Sequence, residues 1–167
     1  LQLVLITGNR FYEYFKQKKD EILDSQNKMI LNILPYVEEM DQVYRISDLI
    51  ISRAGANTIA ELLITGIPAI LIPYPYAVQN HQYFNAQFLA DRGKAILIPE
   101  KDLSSDLLID NIRGLIEHNS IGELTGILYE SANELIDPYI VYPETKVIIQ
   151  AISETVDSIY PLGLVGF

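Results

Sequence analysis

The chain has 167 residues, of which 49% are apolar and 20% charged, a composition typical of a soluble globular domain with its own core. Its net charge of -10 argues against a nucleic-acid partner and against docking on anionic lipid, because both need clustered Lys and Arg. The absence of cysteine excludes disulfides and thiolate chemistry, and the 2 histidines argue against a zinc site. No apolar run could span a bilayer and no signal peptide is visible, so we expect a cytoplasmic protein.

Strand-like apolar runs alternate with helix-like runs along the chain. The strands are predicted over residues 3–6, 29–34, 49–52, 68–72 and 95–98. The helices are predicted over residues 11–23, 37–46, 58–64, 80–91, 105–117, 121–136 and 144–159. Continuous apolar strands between helices indicate an α/β, Rossmann-like parallel sheet with helices on both faces. Functional loops are then expected at the carboxyl ends of the strands.

The two ends of the sequence set the predicted domain limits. Leu1 is not a methionine, and residues 1–6 are strand-like from the first position, so we expect the sequence to be a piece of something longer. We predict one domain over residues 1–160 and a tail over residues 161–167.

Residues 51–61 are typical of a buried strand, a tight glycine turn and a helix start. This junction suits a phosphorylated ligand, because backbone N–H groups and the positive end of the helix dipole face it. The carboxylate of Glu61 suits hydroxyls instead, so the segment as a whole fits a nucleotide with a free ribose. A structural interpretation is also open: Thr58 and Glu61 fit a capping box, and Gly55 fits a turn with positive φ.

A second polar cluster lies at the start of the helix predicted over residues 80–91. Gln82 and Asn85 share a helix face, where two amides would suit the hydroxyls of a neutral sugar. A solvated helix face is the alternative. Asn80 fits a helix N-cap, and His81 either donates to a phosphate or caps the helix.

The other titratable residues carry no predicted chemistry. Asp102, Asp106 and Asp110 have helical spacing and no neighbouring ligand of another type, which indicates a solvated face and no metal site. His118 lies at a predicted helix end, where the dipole favours a cation.

Three motifs together resemble the carboxyl-terminal half of the MurG family of bacterial glycosyltransferases. In order along the chain they are Ser52-Arg-Ala-Gly-Ala-Asn-Thr-Ile-Ala-Glu61, Gly66-Ile-Pro-Ala-Ile-Leu-Ile-Pro73 and His81-Gln-x-x-Asn-Ala86. Residues 36–40 resemble the acidic segment before the donor motif, and residues 143–145 resemble the start of the family's last helix. The resemblance covers residues 1–159. It implies one half of a two-domain GT-B glycosyltransferase, the half that binds UDP-N-acetylglucosamine, with no cofactor.

The resemblance also implies how individual residues hold the nucleotide. Val37 is similar to the position whose backbone holds the uracil, and Glu61 to the glutamate that hydrogen-bonds the ribose hydroxyls. Asn57 and Thr58 are similar to the residues that meet the diphosphate at the helix start, and Ala56 belongs to the same set.

A second group of residues is implied for the sugar. Gln82 and Asn85 are similar to the residues that hold the sugar, with His81 beside them. Arg53 matches the family arginine before Ala-Gly-Ala, and both a structural and a phosphate-neighbouring role are open for it.

The implied reaction of the full-length parent is an inverting transfer of N-acetylglucosamine to the lipid-linked muramyl-pentapeptide of peptidoglycan synthesis. Two family features are not found in the sequence: the first strand with its Gly-Gly-Ser loop, and the amino-terminal domain. That domain carries the candidate catalytic base, the acceptor site and the patch that docks on the cytoplasmic face of the membrane. We therefore assign no catalytic residue here and expect this chain to be inactive alone.

Three alternatives remain from the sequence. The chain could be the UDP-sugar-binding subunit of a split two-chain glycosyltransferase, as in dolichol-linked glycan synthesis. It could also be a non-catalytic nucleotide-sugar-binding module. A UDP-sugar epimerase of similar fold is a more distant alternative, because the extra carboxylates and histidines of that class are not evident.

Overall fold

The structure is a computed structural model that describes residues 2–23, 30–117 and 146–150. The strands are β1 (Gln2–Ile6), β2 (Ile30–Leu34), β3 (Leu49–Ser52), β4 (Ala69–Leu71), β5 (Ala95–Leu97) and β6 (Lys146–Gln150). The α-helices are α1 (Gly8–Ile22), α2 (Met40–Arg45), α3 (Ala56–Thr65), α4 (His81–Ala90) and α5 (Ser105–Glu117). Short 3₁₀ turns cover Val78–Asn80 and Glu100–Asp102. Within the described residues, these strands form one parallel sheet in the order β2-β1-β6-β3-β4-β5.

The sheet is covered on both faces, which confirms the predicted α/β class. One core layer joins alternate residues of the strands to α1 and α5, and it includes Leu49, Ile51 and Ile112. The other joins the intervening residues to α2, α3 and α4, and it includes Ile50 and Leu62. All four residues of β3 are buried, because this strand has a helical layer on each side.

Most of the predicted elements are confirmed within a few residues. The strands predicted over residues 3–6, 29–34, 49–52, 68–72 and 95–98 correspond to β1 to β5, and the helix predicted over residues 105–117 is α5. The helix predicted over residues 37–46 is shorter and begins at Met40, because Glu39 has a non-helical backbone with φ of -105°.

The helix predicted over residues 144–159 is wrong, because Lys146–Gln150 form a strand. The segment is rich in β-branched residues and lies in the middle of the sheet, hydrogen-bonded to β1 on one side and to β3 on the other. Tertiary pairing on two sides therefore decides its conformation. The helix predicted over residues 121–136, the tail over residues 161–167 and His118 lie outside the described residues.

All the described strands are parallel, but the direction in which successive strands are added to the sheet changes at β6. From β1 the chain moves outward to β2, whereas from β3 it moves the other way to β4 and β5. In open parallel sheets, ligands bind outside the carboxyl ends of the strands at such a switch point. The carboxyl ends of β1, β6 and β3 lie side by side here. Within the part of the chain that the structure describes, no helix is long and apolar enough to cross a membrane.

The central position of β6 can be tested with introduced cysteines, since the chain has none of its own. Val4 and Ile148 are register partners on neighbouring strands, so Val4→Cys with Ile148→Cys should form a disulfide under mild oxidation. The matched pair Val4→Cys with Ile70→Cys should not, because three strand spacings separate β1 from β4. Mass spectrometry of oxidised peptides measures both. A helix in this segment would leave the first pair unlinked.

Candidate functional site

An open cleft of about 470 Å³ lies at the carboxyl edge of the sheet. Its lining comes from the end of β1, the loop after β2, the start of α2 and one residue of α3: Ile6, Tyr36, Val37, Glu38, Glu39, Met40, Asp41 and Glu61. Its volume is within the range of small-molecule sites in proteins. The structure thus brings together Val37 and Glu61, to which the family resemblance assigns the two parts of a nucleoside.

The cleft is strongly acidic. Four of its lining residues are carboxylates: Glu38, Glu39, Asp41 and Glu61. A phosphate inside the cleft would be repelled, whereas hydroxyls and N–H donors would find acceptors there. The anionic part of any nucleotide must therefore lie outside this cleft.

The start of α3 offers the opposite electrostatic character. The first helical hydrogen bond of α3 runs from the N–H of Ile59 to the carbonyl of Gly55 at 3.0 Å. The N–H groups of Ala56, Asn57 and Thr58 precede it and have no intrahelical acceptor. Ala56 and Asn57 are exposed, so an anion could reach these donors.

The capping-box interpretation of Thr58 and Glu61 is wrong. The N-cap of α3 is Gly55, with no side-chain cap hydrogen bond, so both residues lie inside the helix. The positive-φ interpretation of Gly55 is also wrong, since its φ is -64°. A Cβ at Gly55 would meet only Thr58 Oγ1, at 3.9 Å. Neither backbone conformation nor packing therefore requires glycine at this position.

Glu61 is held by a tyrosine from the neighbouring helix. The hydroxyl of Tyr44 on α2 donates to Glu61 Oε2 at 2.7 Å. The Tyr44 side chain is only 2% exposed. Burial, the hydrogen bond to Glu61 and the negative charge of Glu61 raise the pKa of Tyr44 well above its ordinary value. The Tyr44 hydroxyl therefore stays protonated at physiological pH and can donate its hydrogen bond to Glu61.

Arg53 ties together the loops that follow β3, β4 and β5. Its Nη1 donates to the carbonyls of Ile72 at 3.2 Å and Pro73 at 3.1 Å. The same nitrogen lies 2.5 Å from Glu100 Oε2, an ionic contact without the orientation of a hydrogen bond. The guanidinium also lies 5.4 Å from the centre of the Tyr74 ring. These contacts favour the structural role that the sequence leaves open for Arg53.

The two amides of α4 face the neighbouring loops, so the solvated-face alternative is wrong for them. Gln82 Oε1 accepts from the N–H of Tyr74 at 3.0 Å. Asn85 Nδ2 donates to the carbonyl of Ala54 at 3.1 Å. Each amide uses one group for a loop contact, and the other group, Gln82 Nε2 or Asn85 Oδ1, takes no part in that contact.

The residues before α4 have unusual backbone conformations. Gln79 and Asn80 have φ of 53° and 55°, in the left-handed region. Asn80 precedes the helix but makes no side-chain cap hydrogen bond, so its predicted capping role is wrong. His81 is exposed, and its Nδ1 lies 2.7 Å from the carbonyl of Val78, which requires a proton on Nδ1.

Asp102, Asp106 and Asp110 are all exposed, as predicted, but only Asp106 and Asp110 lie on α5, whereas Asp102 ends the 3₁₀ turn before it. Sequence reasoning missed Tyr44, Tyr74 and Glu100. The helical period of α2 places Tyr44 on the inward face beside Val43, but its contact with Glu61 depends on packing across 17 residues. No local signal identifies Glu100 as the partner of Arg53.

The sheet, its switch point and the exposed helix start define a Rossmann-like α/β domain with an open cleft at its carboxyl edge. Residues 1–124 match the model of the family described as "Glycosyltransferase family 28 C-terminal domain". Because this match covers most of the sequence, the chain belongs to that family.

Curated relatives agree with this assignment. The UDP-N-acetylglucosamine--N-acetylmuramyl-(pentapeptide) pyrophosphoryl-undecaprenol N-acetylglucosamine transferase of Desulforamulus reducens is 42% identical over 119 residues, which cover 71% of this chain and 32% of the relative. The transferase of the same name from Oenococcus oeni is 35% identical over 153 residues, covering 92% of this chain and 40% of the relative. The chain thus spans between 32% and 40% of the length of these relatives.

A solved structure of the same kind is also similar. The crystal structure of Acinetobacter baumannii MurG matches with a TM-score of 0.69 and 29% identity. The match covers 80% of this chain and 37% of that one. The described fold is therefore that of a GT-B glycosyltransferase domain.

Loss of the Arg53 contacts should destabilise the fold. Arg53→Ala removes two carbonyl bonds and leaves Glu100 half-buried and unpaired, so we expect the free energy of unfolding to fall by about 2 to 4 kcal/mol. The matched control is Arg45→Ala, whose Nη2 lies 3.8 Å from Asp41 Oδ2 with side chains 79% and 66% exposed. We expect that change to cost less than about 0.5 kcal/mol. Urea unfolding measures both, and equal small losses would contradict the role of Arg53.

Proposed function

We propose that this chain is the donor-binding domain of a peptidoglycan-synthesis glycosyltransferase. The enzyme would transfer N-acetylglucosamine, with inversion, from UDP-N-acetylglucosamine to the lipid-linked muramyl-pentapeptide. The observation that carries the proposal is that Val37 and Glu61 share one acidic cleft while Glu61 lies on the helix whose start is open to an anion. The names of the two similar transferases, which specify this donor and this acceptor, support the proposal.

The acidic cleft and the N–H groups at the start of α3 have opposite electrostatic character, so a nucleotide would bind in one orientation. The uracil would lie against the backbone of Val37, and the ribose hydroxyls would donate to Glu61. The diphosphate would then meet the N–H groups of Ala56, Asn57 and Thr58, outside the acidic cleft. Reversing the nucleotide would place the diphosphate among carboxylates, which is unfavourable.

The sugar would lie beyond the diphosphate, beside α4. Asn85 is tied to the carbonyl of Ala54, directly before the α3 turn, so its remaining oxygen lies next to the proposed diphosphate position. Gln82 is tied to Tyr74 and keeps its amide nitrogen for a sugar hydroxyl. His81 is held by Val78 at the same helix start, where it would contact the outer edge of the sugar.

The domain's contribution to the reaction would be positioning and charge stabilisation. As the acceptor hydroxyl attacks the anomeric carbon, negative charge grows on the departing UDP, and N–H groups at a helix start stabilise that charge. Proton removal, acceptor binding and peripheral attachment to the cytoplasmic face of the membrane would belong to an amino-terminal domain. We accordingly propose that this chain alone binds the donor but does not turn it over.

Titration with UDP-N-acetylglucosamine tests the assignment of Glu61. We expect the wild-type chain to bind and Glu61→Ala to bind about 10 to 100 times more weakly, because a hydrogen bond to a charged group is lost. Asp110→Ala, an exposed carboxylate change on α5, should keep the wild-type affinity. Isothermal calorimetry gives the dissociation constants. Equal affinity of wild type and Glu61→Ala, or no binding by either, would sink the proposal.

A pair of glycine substitutions tests the diphosphate position. Gly55→Ala adds a methyl group in open space beside the α3 start, so affinity for UDP should fall at least about tenfold while stability changes by less than about 1 kcal/mol. Gly66 has a φ of 71° at the other end of α3. Gly66→Ala should therefore cost about 1 to 2 kcal/mol of stability and leave UDP affinity unchanged. The reverse pattern would place the diphosphate elsewhere.

A further inference from the structure

We propose that Tyr44 is a positioning residue that orients Glu61 toward the ribose hydroxyls and so sets the preference of the site for ribose. This inference rests on the proposed function, since it concerns the same nucleotide. Tyr44 would not touch the ligand itself. It would act through the carboxylate to which it donates.

The placement of the two side chains separates their roles. Glu61 lines the cleft, whereas Tyr44 is not among the lining residues and is 2% exposed. The Tyr44 hydroxyl reaches Glu61 Oε2 at 2.7 Å from within the core. Tyr44 therefore contacts the Glu61 carboxylate from the protein interior, and the cleft lies on the other side of that carboxylate.

The surroundings of both residues make the donor rigid. Tyr44 belongs to the buried layer that also contains Ile59 and Leu62 of α3. The backbone of Glu61 lies in the middle of α3, where its carbonyl accepts from Thr65 Oγ1 at 2.8 Å. A buried aromatic ring on one helix and a fixed helical backbone on the other leave the carboxylate little freedom to turn.

The chemistry of the contact explains the expected preference. An ionised carboxylate only accepts hydrogen bonds, and a bond from a neutral phenol is charge-assisted and directional. With Oε2 engaged by Tyr44, Oε1 remains to accept from a ligand hydroxyl in the cleft. Without Tyr44, a free Glu61 side chain would lose rotamer freedom on binding and would hold the ribose less well.

The test compares UDP with 2′,3′-dideoxy-UDP, which lacks both ribose hydroxyls. Wild type should prefer UDP by about tenfold or more. Tyr44→Phe keeps the ring, so UDP affinity should fall about 3- to 10-fold while affinity for the dideoxy ligand stays unchanged. Adding Tyr44→Phe to Glu61→Ala, which removes the acceptor of the Tyr44 hydroxyl, should cause no further loss of UDP affinity. Tyr14→Phe, on α1 outside the cleft, is the matched control and should behave as wild type.

A second variant keeps the inference testable if Tyr44→Phe does not fold. Glu61→Asp shortens the side chain by one methylene, so the Tyr44 hydroxyl no longer reaches the carboxylate while the buried ring stays in place, and adding Tyr44→Phe to Glu61→Asp should cause no further loss of UDP affinity. Urea unfolding checks that each variant is folded.

The outcomes separate this inference from the proposed function. If wild type binds UDP, Glu61→Ala weakens binding, and Tyr44→Phe changes nothing, the role of Tyr44 is overturned while the donor site stands. Equal losses for both ligands in Tyr44→Phe would mean a merely structural tyrosine and would also overturn it. If wild type binds neither ligand, the proposed function itself fails.

Discussion

The candidate site depends on a single cation that joins three loops. Arg53 follows β3, its guanidinium holds the carbonyls that follow β4, and it reaches Glu100 after β5. Gln82 and Asn85 are in turn tied to Tyr74 and Ala54 on two of these loops. The start of α3 and the start of α4 are thus set relative to each other by contacts around Arg53. Arginine suits this position because its planar guanidinium combines five N–H donors with a positive charge.

A second constraint is electrostatic and acts on the ligand. The cleft beside α2 gathers carboxylates, while the first turn of α3 presents unpaired N–H groups. The two regions meet at α3, whose first turn carries the N–H groups and whose Glu61 lines the cleft. A nucleotide has the same division, with hydroxyls at one end and charge at the other. Tyr44 would support this division by orienting the carboxylate of Glu61, which lines the cleft and also lies on α3.

Local sequence predicts the elements whose cause is local. Short apolar runs between helical segments, such as residues 49–52, indicate buried strands, and the structure confirms this one. Local sequence does not predict features that depend on residues far away along the chain. Residues 146–150 become a strand because β1 and β3 hydrogen-bond to both sides of them. Val37 and Glu61, to which the family resemblance assigns the uracil and the ribose, line one cleft, whereas the Tyr44–Glu61 hydrogen bond depends on how α2 packs on α3.

The place of β6 has a consequence for biosynthesis. Since β1 and β3 each pair with β6 and not with each other among the described strands, the sheet cannot close until residue 150 has left the ribosome. Until then β1 and β3 each lack their pairing partner on one edge, and unpaired strand edges promote aggregation. Pairings of such long sequence separation also form slowly. The edges of β1 and β3 should therefore stay exposed on the nascent chain until β6 has been synthesised.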